Sequence, residues 1–173
     1  ALRLGIQSLR TLRSMITLRS LQGDGHLSKV DAKSICEAIA EHLAENDFDG
    51  VSVSYVSALC DVYKGCGGFE SEASVAFRSA VLFILNEGAG EATDDSFWAV
   101  EWGINQGIVT PEQALDFVAS NVDTAVSADE IRAMSSLLLE IPVTTPGYMD
   151  KAKSVKEHVI EVVSECFSDF IDV

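Results

Sequence analysis

Apolar residues recur along this chain every three or four positions, and glycine, proline or a hydroxyl residue interrupts the recurrence at intervals. Leu9, Leu12 and Ile16 share one side of a helix predicted over about 3–21, with Arg3, Arg10 and Arg13 on another side. Gly23-Asp24-Gly25 ends it. Ser28 then reads as an N-cap, with Asp31 three residues on as something close to a capping box. The helix it opens, about 29–45, has its apolar stripe on Ala32, Ile35, Cys36, Ile39 and Leu43. Glu37, Glu41 and Glu45 form an acidic stripe that reads as its solvated face. After the Asp47-Phe48-Asp49-Gly50 turn, Ser52 caps a helix over about 53–64, buried through Val56, Leu59, Cys60 and Tyr63. Gly65-Cys66-Gly67-Gly68 is the clearest break in the chain. The next helix, about 70–86, is apolar almost all round, which predicts a central position.

A second run of the same grammar follows Gly88-Ala89-Gly90. Asp94 and Asp95 sit at the positive end of a helix over about 94–106, and Trp98 and Trp102 are i, i+4 neighbours that read as core. Thr110-Pro111-Glu112-Gln113 combines a cap, a proline at the first helical position and a glutamine at the third, opening a helix over 111–121. Ser127 and Glu130 make another capping box for a helix that Ile141-Pro142 ends. The last helix, about 148–170, has its stripe on Val155, Val159, Val162 or Val163, Cys166 and Phe170. No stretch alternates with period two, so the expected fold is all-α: a compact bundle of about eight helices with essentially no sheet.

The two runs align. Gly25-His26-Leu27-Ser28 meets Gly107-Ile108-Val109-Thr110, and Ala32 and Ile35 meet Ala114 and Phe117. With about seven residues missing from the second copy, Val51-Ser52 meets Val126-Ser127, Gly68-Phe69 meets Gly147-Tyr148, and Ala73 meets Ala152. The expected organisation is two similar four-helix halves, 1–90 and 91–173, packed as one globular unit.

Charge narrows the partners. The chain carries a net −15, but residues 1–22 hold four arginines and no acid. The acidic remainder offers no basic footprint for phosphates, so nucleic acid is not expected as a partner. No apolar run is long enough to cross a membrane as a helix, and no membrane partner is expected. The arginine-bearing start also has the composition of a transit peptide, and a first residue of Ala in place of Met implies processing or excision from something longer.

Candidate chemistry is sparse. Asp24 and Asp31 fit part of a calcium loop whose opening positions would be Ser20 and Gln22, and Asp47 and Asp49 fit part of another. Helix caps and turns account for the same aspartates without metal. His26, His42 and His158 lack ligands at metal spacing and read as surface or boundary residues. No nucleophile elbow, P-loop or dinucleotide glycine pattern occurs, so neither an enzyme nor a cofactor is expected. The cysteines are Cys36, Cys60, Cys66 and Cys166, and their spacing is not that of a zinc site. They read either as free buried thiols or, if oxidised, as one of three pairings; if the helices bearing Cys36 and Cys60 are antiparallel neighbours, those two lie level, which favours a Cys36–Cys60 bridge and leaves Cys66 with Cys166.

One family has a similar pattern. The arginine-bearing first helix (Leu9-Arg10-Thr11-Leu12-Arg13), an alanine-rich second helix, the Asp49-Gly50 turn and a third helix with Val56-Ser57-Ala58-Leu59 come in that order. A glycine-rich break and Ala73-Ser74-Val75-Ala76-Phe77 follow, and the second half has Leu139-Glu140-Ile141-Pro142 before Tyr148 and Ala152. Together these resemble the globular repeat module of the aciniform and tubuliform spider silk proteins. The resemblance implies a secreted, non-enzymatic structural protein, soluble when stored and self-assembling into fibre or coating. Its expected partners are other copies or neighbouring repeats. The competing expectation is a helical module that binds a small apolar ligand or calcium.

Overall fold

The computed structural model describes residues 12–69 and 74–171, with side chains placed from residue 13 to residue 164. Eight α-helices occur among the described residues: α1 (Leu12–Gly23), α2 (Lys29–Ala44), α3 (Val53–Gly65), α4 (Val75–Glu87), α5 (Asp94–Asn105), α6 (Pro111–Asn121), α7 (Ala128–Glu140) and α8 (Tyr148–Ile171). A single 3-10 turn, Val122–Thr124, follows α6. No strand is found among the described residues, so the protein is an all-α helical bundle. Leu9, Arg3 and Arg10 of the first expected helix, and the start of the fourth, lie outside the described residues.

The helix starts follow from local chemistry. The hydroxyls of Ser28, Ser52, Thr110 and Ser127 each accept the backbone N–H three residues on. Each thereby satisfies one of the donors that a helix N-terminus leaves bare. Gln113 and Glu130 reach back to the cap N–H of Thr110 and Ser127, closing two capping boxes. Thr93 and Ser96 form a third, with the Thr93 N–H donating to Ser96 Oγ at 3.0 Å.

The chain divides into two compact units, Ala1–Glu87 and Gly88–Val173. In the first, α1 packs on α2 and α3, α2 on α3 and α4, and α3 on α4. In the second, α5 packs on α6 and α7, α6 on α7 and α8, and α7 on α8. With α1 to α4 set against α5 to α8, the pairing is the same. In both units the middle two helices touch each other and both outer ones.

The joint between the first two helices of each unit also repeats. Gly25 and Gly107 take left-handed φ values of +73° and +66°. The Gly25 N–H donates to Gln22 O and the Leu27 N–H to Leu21 O; 82 residues on, Gly107 donates to Ile104 O and Val109 to Gly103 O. This is a glycine C-cap running straight into a hydroxyl N-cap.

Two readings of the apolar pattern need correction. In α1 the buried residues are Met15 and Leu18, while Ile16 is 58% exposed. The helix carries two apolar rows about one residue apart, and packing on α3 selects the Met15 row, with Arg19 bonded to Asp61 of α3 at 2.9 Å. Helix α4 is not central either. Its Ala76, Phe77, Ala80, Val81 and Ile84 are buried, but Val75 is 79% exposed, and α2 and α3 hold the middle of the unit.

Candidate functional site

Of the four candidate calcium aspartates, Asp31 uses its carboxylate in a helix cap, while Asp24, Asp47 and Asp49 are held in turns through their backbone N–H groups. Asp31 Oδ2 accepts the Ser28 hydroxyl at 2.6 Å, completing the cap of α2. The Asp24 N–H donates to Ser20 O within the joint. Asp47 and Phe48 both lie in the left-handed region, at φ 49° and 56°. The Phe48 N–H closes the end of α2 on Leu43 O. Among the described residues, no three His, Cys, Asp or Glu side chains gather as a metal site. His158 Nε2 lies 2.9 Å from the Ala125 carbonyl, a boundary contact in the second unit.

Cys36, Cys60 and Cys66 are buried thiols, and the Cys36–Cys60 bridge expected from helix level is not formed. The side chain of Cys166 lies outside the described residues, and with it the Cys66–Cys166 pairing. Cys66 and Glu37 are electrostatic neighbours of Cys36. Antiparallel level alone does not aim two Cβ vectors at each other. Burial first, then Cys66 and Glu37, pushes the Cys36 thiol up to about 12. Burial raises Cys66 as well, against the pull of Lys29 and Lys33. Thiols held protonated in this way are poor nucleophiles.

The polar centre beside them is Tyr63. Its hydroxyl donates to Glu37 Oε1 at 3.0 Å, linking α3 to α2 across 26 residues of sequence. Glu37 is half-buried, so it does not share the solvated face expected for the acidic stripe. Burial, then the Glu37 hydrogen bond and charge, push the Tyr63 phenol well above its ordinary range. The ring stacks on Phe77 with centroids 3.7 Å apart and planes at 11°, and Phe69 meets both edge-on. This aromatic block fills the seam between α3 and α4.

The matching seam in the second unit is open. A groove of about 330 Å³ runs between α7 and α8, walled by Leu138, Leu139, Val155, Val159 and Ile160, with Ser135 and Lys156 as its polar members. The caps Ser52 and Ser127 put Leu138 at the place of Tyr63, and the Ala73–Ala152 match puts Lys156 at the place of Phe77. An aliphatic residue and a lysine thus stand where the first unit has its ring pair. Periodicity alone marks these positions as helical and does not reveal the space between them.

No protein-family model matches the chain, and neither a curated protein nor a solved structure matches it significantly.

Proposed function

We propose that the chain is a non-enzymatic structural module that works by association with copies of itself or with neighbouring repeats. The observation that carries this reading is the repetition of one helix pairing and one glycine–hydroxyl joint in both units. Repetition of a small helical unit multiplies surface in a regular way, as in other repeat architectures. Two further features support it. Leu139, Val143 and Met149 are 81%, 68% and 72% exposed around the α7–α8 connection, a concentration of apolar surface suited to protein contacts. The net charge of −15 opposes association at neutral pH and keeps stored protein soluble. The resemblance to silk repeat modules adds the setting, that of a secreted, fibre- or coating-forming protein.

Acid is then the natural trigger, because protonating carboxylates removes the repulsion. Light scattering between pH 7 and pH 4, the latter near the ordinary carboxylate pKa of about 4, tests the idea. Particle mass is expected to rise as pH falls while far-UV circular dichroism stays helical. An unchanged monomer across that range would overturn the reading.

A further inference from the structure

We propose that the α7–α8 groove of the second unit binds a single-chain amphiphile with an anionic head, of the fatty-carboxylate class. The argument does not depend on the self-association reading. It begins from the difference between the units. From cap to cap, the second helix and its turn take 24 residues in the first unit (Ser28 to Ser52) and 17 in the second (Thr110 to Ser127). The longer stretch contains Phe48, which stacks on Phe83 of α4 with centroids 4.8 Å apart. In the second unit the shorter stretch packs on α8 through the 122–124 turn, which carries no aromatic ring. Phe77, Val81 and Ile84 of α4 are fully buried, whereas the matching Lys156, Ile160 and Val163 of α8 are exposed, the last two by 54% and 45%. Leu139 on the facing helix is 81% exposed. An apolar chain laid between Leu139 and Ile160 supplies the contacts that aromatic rings supply in the first unit.

The head group follows from charge. Residues 88–173 hold 16 acidic and 4 basic side chains, yet the ionisable residue lining the groove is Lys156. Lys151 is paired with Asp116 and Lys153 with Glu157, while Lys156 makes no ion pair among the described residues. A cation beside an apolar trough matches one carboxylate on one alkyl chain. The trough's volume lies at the lower end of the range for ligand pockets, which favours a medium chain over a two-tailed lipid.

The test is calorimetric titration of the full chain with decanoate, octanoate and decan-1-ol, with amide NMR shifts to locate the site. Decanoate should saturate one site on α7 and α8, and octanoate should bind about tenfold more weakly for two fewer methylenes. Lys156→Gln should weaken decanoate about fivefold, as for an exposed ion pair, and leave decan-1-ol unchanged. Leu139→Asp, at a position too exposed to disturb folding, should weaken both. Circular dichroism of each variant confirms that it is folded. Four outcomes at neutral pH, where self-association is not expected, overturn the proposal: no saturable binding; equal loss of decanoate and decan-1-ol in Lys156→Gln; binding to anionic phospholipid vesicles without binding of free decanoate; or a dimer, dissolved by Leu139→Asp, that covers the groove.

Discussion

At the scale of single residues, the first unit turns on one close approach. A Cβ at Gly68 would stand 2.4 Å from the Tyr63 ring, inside any real contact distance. Gly68→Ala must therefore displace that ring from Phe77 and loosen its bond to Glu37. We expect a loss of about 1–3 kcal/mol in urea unfolding, the range for overpacking a tight core. Absorbance titration should show the tyrosinate forming at lower pH, and a variant with wild-type stability and titration would contradict the packing described. Cys36 makes an alkaline prediction. Its folded pKa is raised from 9.0 to about 12, so the unfolded chain gives up this proton first. Stability is whole below pH 9 and falls as pH rises from there towards 12. Cys36→Ala should flatten that decline when thermal midpoints are compared across the window. Neither residue's role was legible in the sequence. The glycine-rich break was visible, but the Tyr63–Glu37 link and the Cys36–Cys66 neighbourhood depend on contacts across some thirty residues, which periodicity does not report.

Among the elements, the joints are where sequence and structure agree best. Ser28, Ser52, Thr110 and Ser127 were readable as caps because a cap bonds to its own chain three residues away. The Thr93–Ser96 box is less legible, because Asp94 and Asp95 beside it already suit the helix dipole. Which side of α1 is buried, and which helix of a unit is central, needed a partner surface and could not be read locally. Glu130 shows the local chemistry at work. Burial raises its carboxyl, and the Ser127 and Val126 donors outweigh that and hold it below its ordinary range. The two joints also make a paired prediction. No neighbouring atom lies within 4 Å of a Cβ built at Gly25 or Gly107, so Gly→Ala at either costs only the left-handed conformation. Each should lose about 1–2 kcal/mol in chemical denaturation. Equal losses are the result expected if both positions perform one structural task; a neutral substitution at either would break the equivalence.

For the whole molecule, charge is unevenly shared. Residues 1–87 hold 11 acidic and 8 basic side chains, against 16 and 4 in residues 88–173. Repulsion between copies therefore comes mainly from the second unit, which also carries the exposed Leu139, Val143 and Met149. If repulsion alone holds copies apart, molar salt at neutral pH should raise scattering as acid does, because screening shortens the reach of surface charge to about 3 Å. Association in acid that salt does not reproduce would point to a specific protonation in place of bulk repulsion. The all-helical architecture was legible from spacing and caps. The open seam was not, because it depends on what Leu138 and Lys156 leave unfilled across two helices, where the first unit packs Tyr63 on Phe77. The fully buried Asn121 has a different kind of consequence. Its Oδ1 accepts the N–H groups of Gly90 and Ala92, at 2.8 and 3.2 Å, while its Nδ2 donates to Phe117 O at 2.9 Å. Two amides outside any helix are thus clamped to the end of α6. In deuterium oxide they should exchange together and slowly, at the rate at which α6 itself opens. In Asn121→Ala both should exchange at once, which makes this pair of protons a clock for the second unit.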